Sequence, residues 1–191
     1  MSVAMEDLPR RHGITVDEYY HMAEVGELAP DARVELIEGE IIDMPPIGSP
    51  HGAMDSKLTA LLVQTFAPRA IVRCGLPIRL DNMSEPQPDF ALVLPRADFY
   101  EQRHPTAAET LLAIEVSDTR LSFDLGRKRA LYARHGVAEL WVIDLKRGRL
   151  HLFRRPSGNE YLEVSALNAP PAMSIESLPD ITLDLSSVFG R

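Results

Sequence analysis

Cysteine is nearly missing from this chain: Cys74 is the only one. An intrachain disulfide and a cysteine-rich zinc site are thereby excluded, and a reducing compartment is the natural setting. Long apolar runs are missing too. The opening residues MSVAMEDLPRR carry no signal-peptide core, and no stretch is long enough to cross a membrane, so a soluble, cytoplasmic protein is expected. No Gly-rich phosphate loop, HExxH zinc helix or GxSxG elbow occurs. The six histidines show no metal-ligand spacing. Net positive charge is also lacking: 28 acidic residues against 20 basic ones leave −8, the reverse of the footprint expected of a protein that grips phosphate backbones.

What is there begins with an asymmetry in that charge. Nine of the basic residues fall between Arg127 and Arg155, against only Glu139 and Asp144. The segment reads either as a phosphate-facing surface or as a set of solvated faces. The 191 residues are expected to form one domain over 1–191. A chain of that length buries about 70% of its unfolded surface and needs no disulfide or zinc to hold a core.

Periodicity supplies the elements. TVDEYYHMAEVG (15–26) reads as a helix with Thr15 as N-cap and Glu18 completing a capping box, ended by Gly26. RVELIEGEIIDM (33–44) reads as two strands about a Glu-Gly turn, followed by a Pro-rich loop through Pro50. HGAMDSKLTALLVQTF (51–66) carries the apolar stripe of a helix at Met54, Leu58, Leu61, Leu62 and Phe66. AIVRCGLPIRL (70–80), DFALVLP (89–95) and LLAIEVSD (111–118) read as strands, and SFDLGRKRALYARHGV (122–137) as a helix. ELWVIDL and RLHLFRR form a hairpin, EYLEV adds a strand, and the tail 166–191 packs as loops with one short strand at ITLDL. The order predicts an α/β or α+β fold with a mixed central β-sheet flanked by helices.

Chemistry is left to acidic residues in apolar company. Asp89 opens the run FALV, and Glu115 interrupts LLAIEV, where an unpartnered carboxylate is expensive to bury. On adjacent strands the two would repel unless a cation lay between them. Oxygen ligands of that kind suit Mg²⁺ or Mn²⁺. At 3.6 residues per turn Leu121, Leu125, Lys128, Tyr132 and His135 share one helix face. Lys128 in that stripe points at the sheet, toward the carboxylates or a scissile phosphate; the alternatives are an exposed pair with Asp124 or a stem that snorkels out. Trp141 and Tyr132 read as core.

Asp89 after a proline, Glu115 in a strand and a following lysine resemble the PD-(D/E)xK nuclease signature. The wider pattern, with VELIEGEII, the Met-Pro-Pro loop and His51, QPDFALV, LLAIEVSD, Asp-x-x-x-Lys-x-x-x-Tyr and HGVAELWVID, resembles the Uma family, catalogued as restriction endonucleases and as a domain of unknown function. The likeness spans about 14–165. It implies a restriction-endonuclease-like core in which Asp89, Glu115 and the Val116 carbonyl bind Mg²⁺ or Mn²⁺ and Lys128 orients or activates the attacking water. Ser117 stands where the superfamily lysine would, two places after Glu115, and Lys128 fits as a migrated substitute. Glu35 is a candidate to complete the metal shell or a solvent-facing strand residue. His51 is a candidate for catalysis or for a helix-start hydrogen bond.

The favoured expectation is a divalent-metal-dependent endonuclease acting on DNA, as a homodimer so that both strands are cut. A nuclease fold kept as a nucleic-acid- or partner-binding module is the alternative. A hydrolase of another phosphate ester is a third.

Overall fold

The computed structural model describes residues 12–29 and 31–189; the N-terminal run MSVAMEDLPRR, Pro30 and the last two residues lie outside the described part. Helix α1 (Val16–Glu24) has the expected start, with Thr15 and Glu18 capping each other's backbone. Strands β1 (Val34–Ile37) and β2 (Glu40–Asp43) pair antiparallel about Glu38 and Gly39, both at positive φ, as the two centres of a tight hairpin turn require. Helix α2 (Ser49–Phe66) starts earlier than its apolar stripe suggests. Pro50 sits in its first turn, where the missing N–H costs nothing, so a residue expected in loop belongs to the helix.

The central sheet has six strands in the spatial order β3 (Ile71–Cys74), β4 (Phe90–Val93), β5 (Thr110–Ser117), β6 (Glu139–Asp144), β7 (Arg149–Ser157) and β8 (Glu160–Asn168). Only β5 and β6 run parallel. A parallel pair needs a crossover, and the helical segment between them supplies it: a turn of helix α3 (Leu121–Phe123), a π-helical turn (Asp124–Lys128) and helix α4 (Arg129–Arg134). The expectation of a mixed sheet flanked by helices is met. β3 ends at Cys74 rather than running on to Leu80, because Gly75 turns the backbone to φ +57°.

Both faces of the sheet are covered, which explains why its central strands are nearly continuous apolar runs. Leu112, Ile114, Trp141 and Ile143 face α2 through Leu58, Leu62 and Phe66. Ala113, Leu140 and Val142 face the crossover helix through Tyr132, Ala133 and Val137.

The tail departs from expectation. Instead of loops with one strand it forms a hairpin of β9 (Ala172–Ile175) and β10 (Leu178–Asp184), then helix α5 (Ser186–Phe189). Ile175, Leu178, Leu183, Leu185 and Val188 bury themselves in the α2 side of the core. A two-stranded hairpin is marginal alone, and this packing is what holds it.

Candidate active site

Alternation along β5 gives Glu115 the direction of Ala113, toward the crossover helix. There Glu115 is 4% exposed; its Oε1 accepts the Tyr132 hydroxyl at 2.7 Å and lies 2.8 Å from Lys128 Nζ. The same ammonium is 3.1 Å from Glu35 Oε2. Glu35, on β1, also accepts the Gln87 backbone N–H at 3.2 Å. Lys128 and Glu35 are thus buried partners, which rules out the exposed-pair, snorkelling and solvent-facing readings for them.

Register places Asp89. Phe90 pairs with Ile114, so the residue before β4 stands beside Glu115. Its Oδ2 accepts the Val116 N–H at 2.6 Å, and its Oδ1 lies 3.0 Å from His51 Nε2. His51, in the first turn of α2, therefore reaches across to the sheet and makes no helix-start bond of its own side chain. Asp89, Glu115, Lys128, Glu35, His51 and Val116 all line one cleft of about 170 Å³, room for a cation and several waters.

The π turn aligns the helix with that cleft. Four residues along an α-helix overshoot a full turn by about 40°, whereas a wider π turn lags. The two departures offset, and Asp124, Lys128 and Tyr132 are all buried toward Glu115. Asp124 and the Tyr132 hydroxyl bond were not legible as site features, although both stand four places from Lys128.

Charge in the cleft is unbalanced. Burial pushes the Glu115 carboxyl well above its usual range; Lys128 opposes this, while Asp124, Asp89 and Glu35 add to it. Burial likewise raises Asp124 against the pull of Lys128. For Lys128, burial alone would depress the ammonium, but Glu115, Glu35 and Asp124 overturn that and hold it above the ordinary lysine range. The directions agree because several carboxylates share one ammonium. Excess carboxylate oxygen of this kind is a donor set that fits a hard divalent cation.

Glu139, at the opposite end of β6, is an instructive contrast. It is fully buried, yet its Oε1 accepts from Trp141 Nε1 at 2.6 Å and Arg154 at 2.9 Å, and its Oε2 from the Glu176 N–H at 2.7 Å. Such a carboxylate is structural.

The basic stretch is largely spent inside the molecule. Arg127 pairs with Glu38 and Glu40, Arg129 with Glu160, Arg134 with Glu38, Lys146 with Asp118, Arg147 with Asp144, Arg154 with Glu139 and Arg155 with Glu163. It is not the open phosphate-facing surface its composition suggests. Instead Arg33 and Arg120 line the cleft; Arg33 donates to the Pro45 carbonyl and Arg120 lies over the Phe123 ring. Among the described residues neither has a carboxylate partner. The histidines also hold a surprise: His51, Asp55 and Asp89 bring ligand atoms within 4.8 Å of one another, a group hidden because its spacing is His-to-Asp along a helix.

Residues 16–186 match the profile of the Uma2 family, described as "Putative restriction endonuclease". Among solved structures the chain is similar to one from Anabaena variabilis described as "a putative nuclease belonging to DUF820", with 20% identity and a TM-score of 0.69, covering 92% of this chain and 97% of that one. At that identity the likeness speaks for the fold. No curated protein matches the chain. Among the described residues no helix is long and apolar enough to cross a membrane.

Proposed function

The chain belongs to the Uma2 family, and from that premise we propose that it is a divalent-metal-dependent endonuclease that hydrolyses phosphodiester bonds of DNA. The observation that carries this reading is the meeting of Asp89, Glu115 and Lys128 in one cleft at the end of the parallel strand pair. Asp89 and Glu115, with the Val116 carbonyl, would hold Mg²⁺ or Mn²⁺. Such an ion, when bound, polarises a phosphoryl oxygen and lowers the pKa of a coordinated water.

The chain's own residues divide the remaining work. Lys128, held as an ammonium by Glu115 and Glu35, has no lone pair with which to take a proton. Its role is therefore to donate hydrogen bonds and offset negative charge that grows on the phosphoryl oxygens; orientation of water is open to it, and general-base activation is not. Tyr132 fixes the Glu115 carboxylate, and the Val116 N–H fixes Asp89, the outer support that keeps ligands aimed. Arg33 and Arg120 would take flanking phosphates. Two copies related by a two-fold axis would present two such clefts to a duplex, in the reducing cytoplasm that the lone cysteine suits.

The binding-module reading draws on Ser117, which occupies the place of the superfamily lysine, and on the scarcity of unpaired cations. One experiment separates the two. Wild type and Glu115→Gln are incubated with supercoiled plasmid and single-stranded DNA in low salt, with Mg²⁺, Mn²⁺ or EDTA. Metal-dependent cutting by wild type, lost or at least about 100-fold slower in the variant, supports the nuclease. No cutting by either, with both folded and no metal bound by calorimetry, overturns it in favour of the binding module.

A further inference from the structure

We propose that His51, Asp55 and Asp89 form a second metal site, which takes a borderline divalent ion such as Mn²⁺ or Zn²⁺ and makes Asp89 a carboxylate shared between two ions. The proposal rests on the nuclease reading for the first ion, held with Glu115, and adds one on the other side of Asp89.

Geometry converges on that point from two elements. His51 and Asp55 stand one turn apart on α2, whose position is fixed by the burial of Leu58 and Leu62. Asp89 arrives from the start of β4. His51 Nε2 is 3.0 Å from Asp89 Oδ1 and 3.4 Å from Asp55 Oδ1, but one ring N–H serves only one of them. Asp55 Oδ1 is left buried with no hydrogen-bond partner among the described residues. An unsatisfied buried carboxylate oxygen is costly, and a cation at the convergence of the three ligand atoms would satisfy it.

Space and coordination chemistry agree. A cavity of about 370 Å³ opens on this side of Asp89, lined also by Asp55, Thr59, Cys74 and Gln87, with room for the waters an ion would keep. Asp89 lines both this cavity and the Glu115 cleft, and His51 reaches it from the cleft; the Asp89 Oδ2 is tied to β5 and its Oδ1 turned to α2. An imidazole nitrogen suits transition metals, whereas Mg²⁺ prefers oxygen alone. The second site is therefore selective: Mg²⁺ fills the Glu115 side only, and Mn²⁺ fills both.

Binding of Mn²⁺ to the purified full chain, followed by the paramagnetic signal of the free ion, tests this without any activity readout. Wild type is expected to bind two Mn²⁺ per chain, and Asp55→Asn and Glu115→Gln one each, with circular dichroism unchanged. The ion that Glu115→Gln retains should show nitrogen spin-echo modulation, and His51→Gln should abolish that modulation. One Mn²⁺ in wild type, unaffected by Asp55→Asn and without nitrogen coupling, overturns the second site and leaves the nuclease reading standing. No Mn²⁺ at all overturns both.

Discussion

Replacing Lys128 by methionine keeps the apolar stem and deletes the ammonium, and its effect can be worked from the geometry around Nζ. Glu115 and Glu35 lie 2.8 and 3.1 Å away, with all three side chains no more than 5% exposed. Removing one partner of a buried pair costs about 3–5 kcal/mol, against a total stability of about 5–15 kcal/mol for a domain. Lys128→Met should therefore surrender about a fifth or more of the fold's stability near neutral pH. The loss has a sign with pH. A carboxyl whose folded pKa lies above its unfolded value costs stability as pH climbs past that unfolded value, and nothing below it. Glu115 is raised even with the ammonium present, and without it the rise grows. Urea melts of variant and wild type should then differ most at about pH 8 and draw together as pH falls toward the unfolded value of 4.5. A variant within about 0.5 kcal/mol of wild type, or a difference that does not change with pH, would refute the claim that this lysine neutralises buried carboxylates.

Other expectations test the surroundings. Glu139→Ala strips a buried acceptor from Trp141, Arg154 and the Glu176 N–H, so it should cost about 3–5 kcal/mol in a melt while leaving metal stoichiometry unchanged. Arg33→Ala and Arg120→Ala should each weaken DNA binding alike across sequences and flatten its salt slope by about 1, read by fluorescence anisotropy. Glu109, held down to about 2 by its paired bonds to Arg103 and by Thr106, contributes stability that is full above its unfolded value of 4.5 and fades as pH falls toward about 2. Arg103→Ala should remove that part of the acid unfolding curve.

Much of the fold was legible because its signals are local. The Thr15 capping box, the Glu-Gly turn and the stripe of α2 each specify their element without help from the rest of the chain. Asp89, Glu115 and Lys128 stood out because each violates its apolar setting. Where tertiary contacts decide, the sequence misleads: Pro50 looks like loop but opens a helix, the tail looks irregular but is held by packing on α2, and the basic stretch looks like an interface but pairs with acids of the same chain, about half of them far away in sequence. The His51–Asp55–Asp89 group was hidden for a related reason, since its third member comes from another element.

The π turn lets the candidate site absorb a change of one residue in length. Deleting any one codon within 124–128 that spares Asp124 and Lys128, Gly126 for instance, leaves every side chain of the cleft in the gene. An α-helix restored there would then span Asp124 to Tyr132 in seven steps, about 20° short of two full turns, where the same helix without the deletion would overshoot them by about 80°. With Tyr132 anchored in the core, Asp124 would keep its direction toward Glu115 after the deletion and swing away only if the π turn became α-helical at full length. An alanine at Gly126 meets open space, and deletion of Gly126 should likewise leave the helix folded against the sheet. A lysine delivered by a helix, rather than by the strand itself, is thus placed by counting, and the spare residue of the π turn is a point at which relatives of this chain could differ in length while keeping their chemistry.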